Sequence, residues 1–297
     1  MTAPATNPAA ICRPGRCAVL RQAMLVVAAM VSLGGCAISR QIVYAPDHDA
    51  VALEPGPAGL PQPIHVTSAD GLDLAGYYWP GAPGDPDVAI YFHGRHWNAQ
   101  RSANAARYLS GAGDAVIVAS YRGFDDNPGR PSEDGLSRDA AAFIARARAL
   151  GGPDARIWLV GHSIGAAVAL RAAAQDGHVD GVIALSSFVR IADAAPRITR
   201  ALIPDRWDNA AALAALHIPV IFIQGALDRL VPQGSATTLF AGYDGPASLV
   251  MGEESRHNPD MAQIGPWISQ AIAAMAGGTL ATLPAPPPGW VEKARRP

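Results

Sequence analysis

Residues Arg156-Ile157-Trp158-Leu159-Val160-Gly161-His162-Ser163-Ile164-Gly165-Ala166-Ala167-Val168-Ala169-Leu170 pass from a short apolar run, through Gly-x-Ser-x-Gly, into a run of small residues and Leu. An unbroken apolar run of this length suits a strand buried on both faces. The Ala- and Leu-rich run after it suits a helix lying close against the sheet. A serine on the sharp turn between the two stands clear of the sheet edge, with its Oγ free to attack. A side chain at Gly161 or Gly165 would collide with backbone in so tight a turn. The five-residue pattern alone is common in proteins. The strand before it and the helix after it make Ser163 the candidate nucleophile, with Gly161, His162 and Gly165 forming the elbow.

Outward from the turn, strand and helix patterns alternate. Upstream, Leu72–Trp79 partly alternates after an Asp70-Gly71 turn and reads as the second strand of a hairpin. Val88–Phe92 and Ala115–Ala119 read as buried strands, with a helix around Arg101–Ser110 between them. Leu136, Ala140, Phe143, Ile144 and Ala147 have helical spacing, and Gly151-Gly152-Pro153 ends that helix. Downstream, Gly181–Leu185, Pro219–Gln224 and Ala247–Met251 read as strands, with helices near Gly234–Ala241 and Asp260–Met275. This alternation predicts an α/β fold: a mostly parallel central sheet with helices on both faces. The interval from about 186 to 217, with Ile191, Ile198, Leu202, Ile203, Trp207 and Leu213, is longer than one crossover and is expected to form a small helical cap. Residues 281–297, with Pro284, Pro286, Pro287 and Pro288, lack periodicity and are expected to form a flexible tail.

A serine hydroxyl attacks well only when a base takes its proton and a third group orients that base. On a fold of this kind the acid and then the base follow the serine, each on a loop after a strand. Asp228 follows the Pro219–Gln224 strand, at the sheet edge where α/β proteins carry their functional groups. Asp205 and Asp208 are weaker rivals because they precede that strand. His257 follows the next strand and is the only histidine after Asp228. Two backbone N–H groups must face the developing oxyanion. They are assigned to Ile164, directly after the nucleophile, and to Arg95, on the loop after Val88–Phe92. Gly94 lets that loop turn in tightly, and His93 is expected to brace it. No spacing of His, Cys and carboxylates suggests a metal site, and no cofactor is expected.

Composition sets the remaining bounds. The chain has 297 residues, 49% of them hydrophobic and 16% charged, which is enough to bury a sizeable core. Its formal net charge of −2 and the lack of a long basic run argue against a nucleic-acid partner. Arg13, Arg16 and Arg21 precede an apolar stretch, Ala23–Val31, and then Leu33-Gly34-Gly35-Cys36. That is the form of an export signal, too short to span a membrane comfortably. The last four residues resemble a bacterial lipobox, so Cys36 is expected to become the lipidated first residue. Residues 1–35 are then a lipoprotein signal peptide, 36–63 a tether, and 64–280 the catalytic domain. Cleavage removes three arginines and no acids, giving −2 − 3 = −5. It also removes Cys12 and Cys17, so no disulfide can form within the mature chain.

Several segments together carry a family resemblance. His93-Gly94, Tyr121-Arg122-Gly123-Phe124, Pro131-Ser132-Glu133-Asp134-Gly135-Leu136, Gly161-His162-Ser163-Ile164-Gly165, Gly225-x-x-Asp228-x-x-Val231-Pro232 and His257-Asn258 occur in that order. They resemble the Bem46-like branch of the α/β-hydrolase superfamily, from about Ile64 to Met275. The resemblance implies a serine hydrolase acting on a small or lipid-like acyl ester or thioester, with Ser163, Asp228 and His257 as its triad. Relatives usually have small residues where this chain has Asp125-Asp126-Asn127-Pro128-Gly129, a loop expected to border the mouth of the site. The address implied by Cys36 is the bacterial cell envelope, on the periplasmic side. Two alternatives stay open: a peptidase or amidase on the same scaffold, and an envelope lipoprotein with a non-catalytic domain of this type.

Overall fold

The computed structural model describes residues 40–41, 43–194, 200, 203–232 and 234–296. The expected signal segment and Cys36 lie outside the described residues, as do Ile198 and Leu202 of the expected cap. Among the described residues, β1 (Gln62–Thr67), β2 (Asp73–Trp79), β3 (Asp87–Phe92), β4 (Ala115–Ala119), β5 (Arg156–His162), β6 (Gly181–Leu185), β7 (Val220–Gly225), β8 (Ala247–Gly252) and β9 (Trp290–Arg296) form one sheet. Its order is β1-β2-β4-β3-β5-β6-β7-β8-β9. Neighbours from β4 through β8 run parallel, while β1, β2 and β9 pair antiparallel at the margins. Parallel pairs need crossovers, and the helices supply them.

The strands at the centre are apolar throughout because both faces are covered. On β3, Val88, Ile90 and Phe92 enter one core, and Ala89 and Tyr91 enter the other. The first core is roofed by α2 (Glu133–Gly151) and α3 (Ile164–Asp176), the second by α1 (Ala99–Ala106) and α6 (Met261–Ala276). Shorter helices are α4 (Asn209–Leu213) and α5 (Ser235–Ala241). Local capping sets several starts: Ser132 accepts from the Gly135 amide at 3.1 Å to open α2, and Asp260 accepts from the Ala262 amide at 2.9 Å to open α6.

Two segment expectations need correction. The expected flexible tail closes the sheet: Trp290–Arg296 pairs antiparallel with β8, and Trp290 is buried. The prolines end before Trp290, so they do not interrupt the ladder. The expected tether is a strap docked on the body. Tyr44 is fully buried, its hydroxyl donating to Asp205 at 2.8 Å, and the Trp207 indole donates to that hydroxyl at 3.0 Å. Between β6 and β7, the described residues include a 3-10 turn (Ile191–Ala194) and the five-residue α4. Trp207 and Leu213 there sink into the main core, because they pack under the strap and beside α3 instead of forming a separate apolar layer.

Candidate active site

Ser163, Asp228 and His257 sit on loops at the C-terminal ends of β5, β7 and β8, so the sheet brings one edge of three strands to a single point. Ser163 has φ +55° and ψ −117°, a strained conformation for a residue with a side chain. The glycines on either side make that turn possible. A Cβ on Gly161 would lie 2.3 Å from the Gly165 carbonyl oxygen, and one on Gly165 would lie 2.0 Å from that of Phe92. The elbow is thus pressed against the end of β3, which brings the His93-Gly94-Arg95 loop alongside it.

The proton positions follow from the partners. Asp228 Oδ2 is 2.9 Å from His257 Nδ1, and a carboxylate there accepts, so Nδ1 carries the proton. Nε2 is left with its lone pair towards Ser163 Oγ at 3.0 Å, able to accept the hydroxyl proton. Burial by itself would raise the Asp228 carboxyl. The hydrogen bond to His257 and the amides of Val231 and Leu230, at 3.1 and 2.9 Å, hold it below the ordinary value instead. Asp228 therefore stays ionised. The Asp228 and His257 loops are locked together by close backbone approach: Leu227 N–H donates to the Ser255 carbonyl at 2.9 Å, and a Cβ on Gly225 would lie 2.3 Å from that oxygen.

Support around the base went unseen in the sequence. The His257 carbonyl accepts from Ser186 Oγ at 2.7 Å and from His162 Nε2 at 2.9 Å. A carbonyl only accepts, so His162 carries its proton on Nε2, and its Nδ1 is buried with no hydrogen-bond partner among the described residues. Burial, with help from His257, pushes His162 down to about 4, so the ring is neutral. The elbow histidine is therefore a prop for the base. Ser186, a polar residue ending the apolar β6 run at the functional edge, was the readable clue; the His162 contact is purely tertiary.

His93 Nδ1 donates to the Gly94 carbonyl at 2.8 Å. Tyr121 donates to the His93 carbonyl at 3.1 Å, and the Tyr121 and Phe124 rings pack against the imidazole at 4.4 and 4.9 Å. Burial pushes His93 down to about 4. Arg122 anchors the segment that carries Tyr121, with its guanidinium bonded to Asp139, Asp70 and Ser68. The Tyr-Arg-Gly segment thus holds up the loop carrying Gly94 and Arg95. Arg95 is exposed, its side chain 2.6 Å from His96. Ile164 opens the 13-residue α3, so its N–H is one that the helix itself leaves without an acceptor.

Other predicted residues lie elsewhere. Asp205 pairs with Arg40 and Tyr44, and Asp208 pairs with Arg190 and caps α4, so neither competes with Asp228. The Asp125 carboxylate turns away from the triad, accepting from the Ala99 amide at 2.9 and 3.0 Å and from Ser120 Oγ at 2.5 Å. Its loop lines a separate groove with Pro63, His65, Tyr77 and Gln100. The expectation that it borders the site gives way to a structural role: a short acid satisfies backbone at the start of α1.

Comparison with known proteins shows which chains this one resembles. The serine aminopeptidase S33 family profile matches residues 86–207. Rv2307c of Mycobacterium tuberculosis is 32% identical over 228 residues, covering 74% of this chain and 80% of that protein. Bem46 of Schizosaccharomyces pombe is 27% identical over 192 residues, 60% of this chain and 64% of that protein. The esterase Pf2001 of Pyrococcus furiosus superposes with a TM-score of 0.62 at 16% identity, over 78% of this chain and 95% of that one.

Proposed function

The chain belongs to the α/β-hydrolase serine hydrolases of the Bem46-like branch, and from that premise we propose that it cleaves a carboxylic ester or thioester through an acyl-enzyme. The observation that carries the reading is the unbroken chain of contacts from Asp228 through His257 to Ser163 Oγ. As Oγ attacks the acyl carbon, His257 Nε2 takes its proton, and Asp228 stabilises the imidazolium. The carbonyl oxygen becomes an oxyanion facing the N–H groups of Ile164 and Arg95, with the positive end of α3 behind it. His257 returns the proton to the leaving alcohol or thiol. Water then repeats the sequence on the acyl-enzyme, releasing the acid and restoring Ser163. Leu227 and Leu230, both exposed on the Asp228 loop, favour an apolar acyl group, and Pf2001, which shares the fold, is an esterase.

A fluorophosphonate probe tests the assignment: the wild type labels and Ser163→Ala does not, with hydrolysis falling at least about 10⁴-fold. Absence of labelling in the wild type would favour the non-catalytic lipoprotein. The serine aminopeptidase description of the matching family supports a second reading, an amidase. Turnover of peptide amides but not of p-nitrophenyl esters would select it.

The lipobox-like Leu33-Gly34-Gly35-Cys36 supports an address at the cell envelope, with the protein held on a membrane by a lipid on Cys36. Metabolic labelling with a fatty-acid analogue tests this. Tagging that persists in Cys36→Ser contradicts it.

A further inference from the structure

Three carboxylates meet at the end of the sheet opposite Ser163. Asp87 opens β3, Asp114 directly precedes β4, and Asp85 lies on the loop before β3. Val88 pairs with Ala115 in the parallel ladder, so the register sets Asp87 beside Asp114. One oxygen from each of the three lies within 4.8 Å of the others. Asp87 and Asp114 are each only 5% exposed. No spacing in the sequence pointed to this cluster, because 26 residues and a helix separate Asp87 from Asp114 (114 − 88 = 26 residues between).

The three acids are unequally served. Asp87 Oδ1 accepts from Arg156 Nε and Trp158 Nε1, both at 2.7 Å, and Oδ2 accepts from Arg156 Nη2 at 2.6 Å, keeping one lone pair. Asp85 accepts the Asp87 amide at 2.9 Å. Asp114 receives no donor, and its Oδ2 is buried without a hydrogen-bond partner among the described residues. One guanidinium faces three carboxylates, and a buried carboxylate that lacks donors is costly. A cation would balance the cluster and supply what Asp114 lacks.

We propose that Asp85, Asp87 and Asp114 bind a Ca²⁺ ion that ties the start of β3 to the start of β4. Hard oxygen ligands suit such an ion, whose coordination is flexible. Mg²⁺ demands near-octahedral geometry, which the fixed Asp87–Arg156 fork resists. Asp85 is partly exposed, giving water access to complete the shell. Burial first, and then Asp87 and Asp85, push the Asp114 carboxyl up to about 7.

Calorimetric titration of the EDTA-stripped protein with CaCl₂ tests the site. The wild type should bind saturably at one site and gain several degrees in Tm. Asp114→Asn should abolish both effects, and Asp85→Asn should weaken binding at least about tenfold. Asp85→Asn leaves the buried pair intact and serves if Asp114→Asn fails to fold. Fluorophosphonate labelling of Ser163 should be unchanged in either variant. No saturable Ca²⁺ binding in the wild type, or binding unaltered by both substitutions, overturns the proposal, and a proton on Asp114 then holds the cluster. Tighter binding of Mg²⁺ overturns the calcium assignment.

Discussion

His162 and His93 sit beside the nucleophile as buried neutral rings, each spending its single N–H on a backbone carbonyl. Both are pushed down to about 4, largely by burial. The unfolded chain takes up those protons near the ordinary histidine value of about 6.5. Between these values the unfolded state binds more protons, so the rings' stabilisation is complete above about 6.5 and is lost as pH falls towards about 4. The loss is on the order of 3 kcal/mol per ring. Asp114 works in the opposite direction: its raised carboxyl costs stability as pH rises from about 4 to about 7. The wild-type profile is therefore a difference, and a single-site variant is needed to read one part of it. Urea midpoints for His162→Gln should fall less steeply from about pH 7 to about pH 4 than those of the wild type. An unchanged slope would exclude His162 as the source. At this scale the triad was legible because strand-and-loop order fixes where acid and base must fall. The parts of His162 and Tyr121 were hidden because they act through contacts between loops far apart in sequence, and only Ser186, a polar residue directly after an apolar strand, left a clue.

The parallel strands were readable as elements because burial on both faces leaves an apolar run such as Val88–Phe92. An edge strand leaves no such trace. In β9, Glu292, Lys293, Arg295 and Arg296 blunt an edge that would otherwise invite pairing with another chain, and charge hides the strand from a pattern search. Its one large buried side chain shows what the element does. The Trp290 indole covers Gly252, where a Cβ would lie 2.8 Å from the ring, and Gly252 ends β8 five residues before His257 (257 − 252 = 5). The Glu253 amide donates to the Gly289 carbonyl at 2.9 Å, fixing the same corner. Trp290→Ala should therefore cost about 3–5 kcal/mol, read as a lower denaturation midpoint, and should lower kcat by loosening the His257 loop. A truly loose tail would leave both unchanged.

Across the whole molecule, the strap ties the active-site edge together from outside. From Arg40 and Tyr44, bound at Asp205 and Trp207, it passes Asp47 on Arg101 at 2.7 Å, His48 at the Asp125 carbonyl and the Asp49 carbonyl on Asn98, and ends with the Gly59 carbonyl on the Trp79 indole at 3.0 Å. Asn98, Asp125 and Trp207 all lie on segments that follow the C-terminal ends of β3, β4 and β6, the edge that also carries Ser163. The strap therefore crosses the functional edge of the sheet. A free tether could be removed at no cost; this strap cannot. Tyr44→Phe strips a donor from the buried Asp205 and an acceptor from the Trp207 indole, at a cost of about 1–3 kcal/mol. A chain beginning at residue 61 should lose more than that and unfold several degrees below one beginning at residue 40, as measured by calorimetry. Equal Tm values for the two would return the segment to the role of a passive spacer.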